Sequence, residues 1–154
     1  MGIETFQSTI AVITDAIHGM PLDKALEAYL NQEFPANGEI FNEIREACVK
    51  GTEEGWLCQQ EAGGIRFGRA VKPGQVTAGF SVDVVHMADI VGPHHSHPKG
   101  EIDMIMPLDT AARFDGHAEG WLVYPENSAH KPTVSDGAAL ILYLLPDGEI
   151  RFSR

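Results

Sequence analysis

The chain has 154 residues, a length that suits one domain built around one core. Apolar residues make up 44% and charged residues 21% of the sequence, which is the balance of an ordinary globular protein. The formal net charge of −11 argues against nucleic acid or an anionic membrane as a partner. It does not argue against a small anionic ligand, because a local basic pocket can exist on an acidic protein.

The cysteine content and the N-terminal residues indicate a cytoplasmic protein. Cys48 and Cys58 are the two cysteines, too few for a disulfide framework, and we expect free thiols in a reducing compartment. The first twenty residues carry Glu4 and Asp15 and no basic stretch of the kind that opens a secretory signal. No apolar run approaches the ~20 residues that span a bilayer, so no membrane partner is expected.

Three amphipathic helices are predicted in the first third of the chain. Apolar residues recur at helical spacing over residues 4–18, again from about residue 22 to the proline at position 35, and a third time over residues 38–50. Gly51 is predicted to stop the third helix. We interpret these helices as a scaffold packed against the rest of the chain, and the alternative is a lid or a dimer surface.

The pattern changes after Gly55 to short β-rich segments separated by turns such as Gly63-Gly64 and Pro73-Gly74. Many short strands at regular spacing are typical of a β-sandwich or barrel. We predict a single domain, residues 1–154, with a helical region at 1–55 and a β region at 56–154 that share one core. Strands are predicted at residues 65–71, 80–84, 102–106, 112–114, 120–124, 131–134, 138–145 and 149–152.

Two segments concentrate metal-ligand side chains. Residues 92–101 contain three histidines and a glutamate, and in an extended segment His95 and His97 point to the same face. The turn at residues 98–100 can swing Glu101 toward them. A second turn, at residues 125–130, would bring His130 in from a neighbouring strand. Together these groups form a candidate divalent-metal site.

The chain resembles the cupin superfamily in two motifs, His95-x-His97-x-x-x-Glu101 and Pro125-x-Asn127-x-x-His130. Cupins are small β-barrels that hold one metal ion with three histidines and one glutamate. The resemblance implies a mainly β fold, a cupin-type antiparallel β-barrel (double-stranded β-helix) behind the N-terminal helical region. It also implies that His95, His97, Glu101 and His130 are the metal ligands.

Four residues depart from the cupin motifs. Asp89, Leu108 and Asn127 stand where the family has glycine, and Val134 stands where it has asparagine. Asn127 is a tolerable exchange because asparagine enters left-handed turns readily. The departures affect the geometry of the loops and leave the four ligands intact.

A narrower resemblance covers most of the chain. The helical N-terminus and three later segments look like the bacterial 4-hydroxylaminobenzoate lyase family of nitroaromatic degradation. The resemblance implies conversion of a small aromatic carboxylate, 4-hydroxylaminobenzoate, to 3,4-dihydroxybenzoate (protocatechuate) and ammonia. This reaction is redox-neutral, and the sequence has no glycine-rich dinucleotide fingerprint, so no nucleotide cofactor is expected. The segments are Trp121-Leu-Val-Tyr-Pro, Ser128-Ala-His-Lys-Pro-Thr-Val and Ala139-Leu-Ile-Leu-Tyr-Leu-Leu-Pro-Asp-Gly148.

The ligand types narrow the choice of metal. Neutral imidazoles with one carboxylate suit Fe2+, Mn2+, Zn2+ or Ni2+. Four protein ligands leave an open position only on an ion with five or six ligands, which favours Fe2+ or Mn2+ over a structural zinc ion that closes at four.

Arginine is the natural partner for a substrate carboxylate because it can bind both oxygens. Arg66 and Arg69 lie on the strand that enters the barrel, and Arg113 lies on a later one. Arg66 and Arg69 are three positions apart, so only one of them points inward from a regular strand. The sequence does not choose between them, and all three could be surface charges.

Several further side chains are candidates for the site. Trp121 could form an aromatic wall for the substrate, together with Phe80, Tyr124 and Tyr143. His86 is in phase with the apolar residues of its strand, an orientation that would face the barrel interior. A proton donor for the leaving oxygen would assist the reaction, and the candidates for this catalytic role are His86, Glu126 and Tyr143.

Two other functions remain open from the sequence. One is a cupin dioxygenase acting on a small aromatic or thiol substrate, which would consume oxygen, whereas the lyase would not. The other is a non-catalytic ligand-binding cupin. Because cupins commonly form dimers, the resemblance also implies a homodimer, with the helical N-terminus as a candidate interface.

Overall fold

The N-terminal third of the chain folds into three helices in the computed structural model, which describes residues 2–153. These are α1 (Ile3–Ile17), α2 (Lys24–Glu33) and α3 (Glu39–Glu54). Each lies within a few residues of its predicted position. The Asp23 carboxylate caps α2 by accepting a hydrogen bond of 2.9 Å from the Leu26 backbone N–H.

The predicted end of the third helix at Gly51 is wrong. Helix α3 continues to Glu54 and ends at Gly55, which adopts a left-handed φ of 87°. A Cβ atom at Gly51 would lie 2.7 Å from Leu57 Cδ1, and the Gly51 carbonyl accepts hydrogen bonds from three backbone N–H groups, including that of Leu57. The glycine therefore allows the following turn to fold back onto the helix.

Antiparallel strands build the rest of the fold, and the predicted class, mainly β behind a helical N-terminus, is confirmed. The strands are β1 (Gln60–Ala62), β2 (Ile65–Val71), β3 (Phe80–Val91), β4 (His95–His97), β5 (Glu101–Pro107), β6 (Arg113–Phe114), β7 (Gly120–Tyr124), β8 (Ser128–His130), β9 (Thr133–Pro146) and β10 (Arg151–Phe152). One sheet has the strand order β1-β2-β3-β9-β5-β7, with β6 also paired to β9, and the other has the order β10-β4-β8.

Two long strands differ from their predicted extent. Strand β3 continues to Val91, past a register shift at Asp89, instead of ending near residue 84. The predicted segments 131–134 and 138–145 belong largely to the single strand β9. Asp136 and Gly137 have φ values of 62° and 129° inside β9, so the residues that resemble a turn form an irregularity within one strand.

The central strands of the large sheet are buried on both faces. Val82 and Val84 pack on the face covered by the helices, whereas Val85 and Met87 pack on the opposite, interior face with Ile141. The alternation of apolar and polar residues over 80–84 is typical of a half-buried strand, but Ser81 is fully buried in the structure. The polar residues of this alternating pattern lie on the interior face of the sheet.

Helix α2 protects the outer edge of the large sheet at β7. Asn31 accepts a hydrogen bond of 2.9 Å from the Trp121 N–H and donates one of 3.0 Å to the Trp121 carbonyl. Glu27 accepts one of 2.9 Å from the Val123 N–H. These side chains supply the partners that a neighbouring strand would give, which satisfies an otherwise unpaired edge.

In the part of the chain that the structure describes, no helix combines the length and apolar character needed to cross a membrane. The organisation of residues 1–154 as a single domain stays a prediction.

Candidate metal centre

Four side chains from three strands converge at one end of the interior face. His95 and His97 lie on β4, Glu101 begins β5 and His130 ends β8, directly opposite His95 in the β4–β8 pairing. One ligand atom from each residue lies within 4.8 Å of the others. The Nε2 atoms of His95 and His97 are 3.4 and 3.3 Å from Glu101 Oε1, and His130 Nε2 is 3.5 Å from Glu101 Oε2.

Two tight turns bring these strands together. Gly100 has φ 89°, and a Cβ there would lie 2.7 Å from Leu22 Cδ2 and 2.8 Å from the Tyr124 carbonyl oxygen, so the turn before Glu101 requires glycine. Asn127 has φ 62° and donates its backbone N–H to the His97 carbonyl at 2.8 Å. The turn at residues 98–100 and the turn before β8 therefore both place the strand that follows them close to β4.

The cluster is buried and lacks hydrogen-bond partners for the atoms that face its centre. His95, His97 and Glu101 are each 1% exposed or less. His97 Nε2 and both oxygens of Glu101 make no hydrogen bond within residues 2–153. Orphaned buried polar atoms are costly, and a cation bound between them would remove that cost.

The geometry and the donor set fit a divalent ion. Ligands ~2.1 Å from one ion, at right or tetrahedral angles, lie about 3.0–3.4 Å from one another. The observed separations of 3.1 Å between His95 Nε2 and His130 Nε2, and of 3.3–3.5 Å to the glutamate, agree with this. Three imidazole nitrogens and one carboxylate suit a first-row transition metal.

Two neighbouring side chains fix the orientation of the histidine rings. Asp115 Oδ2 lies 2.6 Å from His130 Nδ1, and Ser128 Oγ lies 2.9 Å from His97 Nδ1. Asp115 is itself held by the Tyr124 hydroxyl and by the Thr133 N–H, at 2.5 and 2.9 Å. These contacts direct Nε2 of both rings toward the centre of the cluster.

Asp115 and Ser128 are not predicted from the sequence. A histidine ligand usually donates its second nitrogen to a carboxylate or another oxygen, so some partner for His130 could have been expected. Nothing in the spacing distinguishes Asp115 among the 22 acidic residues of the chain, because it lies 15 positions from His130 and on another strand end.

Charges within the cluster shift the pKa values of its members. Burial alone would raise the pKa of Glu101, but its contacts with His130, His95 and His97 hold that pKa well below its usual value. Burial alone would lower the pKa of His130, but its bond to Asp115 and the charge of Glu101 raise that pKa to about 9. Metal binding requires the neutral imidazole, so the ion competes with a proton on His130.

A row of polar side chains crosses the interior face next to the cluster. Arg69 on β2, Asp83 on β3, Tyr143 on β9 and Asp103 on β5 are cross-strand neighbours in turn. Asp103 is fully buried, and neither of its oxygens has a hydrogen-bond partner in the described residues. Burial, followed by the charge of Glu101, raises the pKa of Asp103 well above its usual value.

A cavity of about 380 Å³ opens beside the cluster. Its polar lining includes His95, Tyr143, Arg69 and Asp83, and most of the remaining wall is apolar. This is the size range of a small-molecule site. The apolar wall includes Ile65, Phe67, Val85, Met87, Ile150 and Phe152.

Of the predicted residues outside the cluster, Arg69 and Tyr143 line this cavity. Arg69 is paired with Asp83, with Nε 2.8 Å from Oδ1 and Nη2 3.2 Å from Oδ2, and Nη2 also donates to the Gly148 carbonyl at 3.1 Å. Arg66 lies on the other side of β2, where it donates to the Thr52 carbonyl at the end of α3 at 3.4 Å. Only one of the two arginines therefore faces the cavity.

The structure does not bring His86, Glu126 or Trp121 to the cluster. His86 is in phase with Val82 and Val84 and faces the helical side, beside its cross-strand neighbour Arg66, so the expected interior orientation is corrected. Glu126 is exposed in the turn between β7 and β8. Trp121 is buried on the helical side, where Nε1 donates to the Phe34 carbonyl at 2.8 Å.

Two of the four departures from the cupin motifs occupy left-handed backbone positions. Asp89 has φ 44° and Asn127 has φ 62°, so both adopt a conformation that glycine takes more easily. The Asp89 carboxylate accepts a hydrogen bond of 3.2 Å from the Gly137 N–H across the β3–β9 pair. The local geometry at these two sites is therefore kept without glycine.

Comparison with known proteins gives consistent matches over most of the chain. The family model described as PnbB, 4-hydroxylaminobenzoate lyase, matches residues 8–152. A 4-hydroxylaminobenzoate lyase from Pseudomonas putida is 31% identical, with 82% of each chain covered. One from Nocardioides sp. (strain LMS-CY) is 30% identical, covering 82% of this chain and 80% of that one. Among solved structures, an RmlC-like cupin protein from Ralstonia eutropha JMP134 has a TM-score of 0.44 and 14% identity, over 60% of this chain and 62% of the other.

The contact between Asp115 and His130 predicts a loss of metal affinity on substitution. Asp115→Asn removes the negative charge beside His130 Nδ1, and we expect metal affinity to fall about 10- to 100-fold. The affinity is measured by competition with a chelator. Asp136→Asn makes the same change in charge at an exposed position within β9 and should leave the affinity unchanged. Equal affinities in both variants would show that Asp115 does not orient the ligand.

Proposed function

Since the chain belongs to the 4-hydroxylaminobenzoate lyase family, we propose that it is a metal-dependent lyase that converts 4-hydroxylaminobenzoate to 3,4-dihydroxybenzoate (protocatechuate) and ammonia. One observation supports this above the others. The cluster of His95, His97, Glu101 and His130 borders a largely apolar cavity that also contains one arginine. A site of this kind suits a flat ring with a reactive group at one end and a carboxylate at the other.

The reaction balances with one net water consumed. The N–O bond breaks, and its electron pair leaves with the oxygen, which departs as water after protonation. A water molecule adds to the ring carbon adjacent to the nitrogen-bearing carbon. A second water hydrolyses the resulting carbon–nitrogen double bond and releases ammonia. The nitrogen is reduced as the ring is oxidised, so no external electron carrier takes part.

The proposed metal ligands are His95, His97, Glu101 and His130, and Fe2+ or Mn2+ are the favoured ions, with Zn2+ or Ni2+ as alternatives. When bound, such an ion supplies Lewis-acid polarisation of a substrate oxygen and lowers the pKa of water. Glu101 is the only acidic member of the ligand set, so a dication would leave the four ligands with a net positive charge, which the Asp115 carboxylate beside His130 partly offsets. This charge attracts an oxygen-bearing substrate.

Tyr143 is the proposed proton donor. It lines the cavity with its ring centroid 6.4 Å from that of His95. Burial, followed by the nearby charges of Glu101 and Asp103, raises the pKa of Tyr143 well above its usual value. The hydroxyl therefore keeps its proton at neutral pH, and a hydrogen bond from it to the leaving oxygen would assist cleavage of the N–O bond. His86 and Glu126 lie away from the cavity and lack this access.

Arg69 is the proposed partner of the substrate carboxylate. Asp83 and Gly148 occupy its Nε and Nη2, and Nη1 makes no hydrogen bond within residues 2–153. The pair with Asp83 fixes the plane of the guanidinium of this cavity-lining residue. The carboxylate end of the substrate would then lie on the β2 side, with the hydroxylamino end toward His95.

We propose a cytoplasmic location and a homodimer. Cys48 and Cys58 are both buried free thiols, which agrees with a reducing compartment. Ile3 and Val12 on α1 are 38% and 47% exposed, and a dimer contact through the helical N-terminus would cover them.

The activity is tested by anaerobic incubation of the Fe2+- or Mn2+-loaded protein with 4-hydroxylaminobenzoate, with products identified by mass. We expect protocatechuate and ammonia in equal amounts without oxygen, because the reaction requires only water. A product that forms only when oxygen is present would indicate the dioxygenase alternative. Tight binding with no product would indicate a ligand-binding protein.

His95→Ala and His130→Ala variants test the role of the metal. Each removes one ligand, so metal binding and turnover should be lost together. Metal content is measured by mass spectrometry alongside product formation. Turnover by a variant that holds no metal would contradict the proposed role of the cluster.

The two arginines of β2 form a matched pair for testing carboxylate binding. Arg69→Lys keeps the charge but loses the fixed donor geometry, and we expect KM to rise roughly tenfold or more with a smaller change in kcat. Arg66→Lys makes the same exchange on the opposite side of the strand and should leave KM unchanged. A larger rise in KM for Arg66→Lys would reverse the proposed assignment.

A further inference from the structure

The C-terminal strand β10 borders the metal cluster. Phe152 pairs with His95 and Arg151 with Ser96 in the β10–β4 ladder. Beyond this ladder, the Ser153 N–H donates to the His94 carbonyl at 3.0 Å, and Ser153 Oγ lies 2.5 Å from His94 Nδ1. Residues 151–153 are therefore fixed to the strand that carries two of the four proposed ligands.

Phe152 is exposed although its ring lies close to a buried histidine. It is 62% exposed, the highest value among the large apolar side chains of the described residues. Its ring centroid is 5.6 Å from that of His95, with the planes inclined at 63°. The same ring lines the cavity beside the cluster. An exposed aromatic ring at the border of a cavity leaves apolar surface that a ligand can cover.

The rest of the cavity provides complementary surfaces for an aryl ring. Phe67 on β2 and Met87 on β3 line it from the large sheet, whereas Phe152 lines it from the small sheet. A ring bound in this cavity would lie between the two sheets. Its polar ends would then be within the reach of His95 at the cluster and of Arg69 on β2.

We propose that Phe152 is a ring-binding residue of the substrate site, which contacts the aryl ring and holds it beside the metal cluster. The inference rests on the proposed function, because it assumes an aryl carboxylate as the ligand. Phe152 acts through an edge or offset contact between two aromatic rings, the arrangement that such pairs prefer. It selects for aromatic over saturated carboxylates, since a saturated ring lacks the matching charge distribution.

The test is a binding measurement that does not need turnover. The unreactive probe 4-hydroxybenzoate is titrated by calorimetry into the metal-loaded wild-type protein and into Phe152→Leu and Phe152→Ala variants. We expect the dissociation constant to rise roughly 5- to 10-fold in Phe152→Leu, which keeps apolar area but loses the ring, and further in Phe152→Ala. The preference for 4-hydroxybenzoate over its saturated analogue, 4-hydroxycyclohexanecarboxylate, should fall in both variants.

Arg151→Ala is the matched control, because Arg151 is an exposed neighbour in the same two-residue strand and is absent from the cavity lining. It should leave probe binding unchanged. Metal affinity should be equal in all variants, which separates ring binding from support of β4. Unchanged probe binding in Phe152→Ala would overturn the inference, as would equal losses in Phe152→Ala and Arg151→Ala, or loss of the metal in Phe152→Ala.

The proposed function can fail separately from this inference. If the wild-type protein binds 4-hydroxybenzoate through Phe152 but does not convert 4-hydroxylaminobenzoate, the result would support the role of Phe152 and contradict the proposed lyase reaction. Turnover of 4-hydroxylaminobenzoate with no effect of Phe152→Ala on KM or on probe binding would retain the lyase and overturn the role of Phe152. Absence of probe binding to the wild-type protein would also overturn it.

Discussion

The carboxylate of Glu101 is buried among three imidazoles, and much of the local structure serves this arrangement. Both its oxygens and Nε2 of His97 face the centre of the cluster without hydrogen-bond partners in the described part of the chain. An isolated buried charge would cost several kcal/mol, so the fold needs either protons on the histidines or a cation between them. The pKa of His130, raised to about 9 by its bond to Asp115 and by the contact with Glu101, agrees with this requirement.

The surrounding elements each satisfy one requirement of the cluster. Gly100 permits the turn that leads into Glu101, and Asp115 directs the ring of His130 from outside. The helices contribute indirectly: by covering one face of the large sheet, they leave the other face to line the interior. That interior face carries the polar row from Arg69 to Asp103. The same strands therefore pack against the helices on one face and carry the site on the other.

The four proposed ligands and most strands could be predicted because they depend on local spacing, as with His95, His97 and the turn before Glu101. The orientation of the large sheet could not be predicted from the sequence. Alternation shows that Val82 and Asp83 face opposite sides, but it does not show which side the helices cover, and apolar residues ordinarily mark the interior. Here the helices cover the face that carries the alternating apolar residues, so His86 faces the helices. Asp83 lines the cavity on the opposite face, and Asp103 is buried on that face. The contact between Asp115 and His130 depends on tertiary packing and could not be predicted from the sequence either.

Anomalous X-ray diffraction from Mn2+-loaded crystals tests whether the four side chains hold one divalent ion. We expect a single strong peak within ~2.0–2.3 Å of one nitrogen from each of His95, His97 and His130 and of a Glu101 oxygen. A stoichiometric metal ion with its peak elsewhere, or a cluster that stays without a peak under saturating metal, would contradict it.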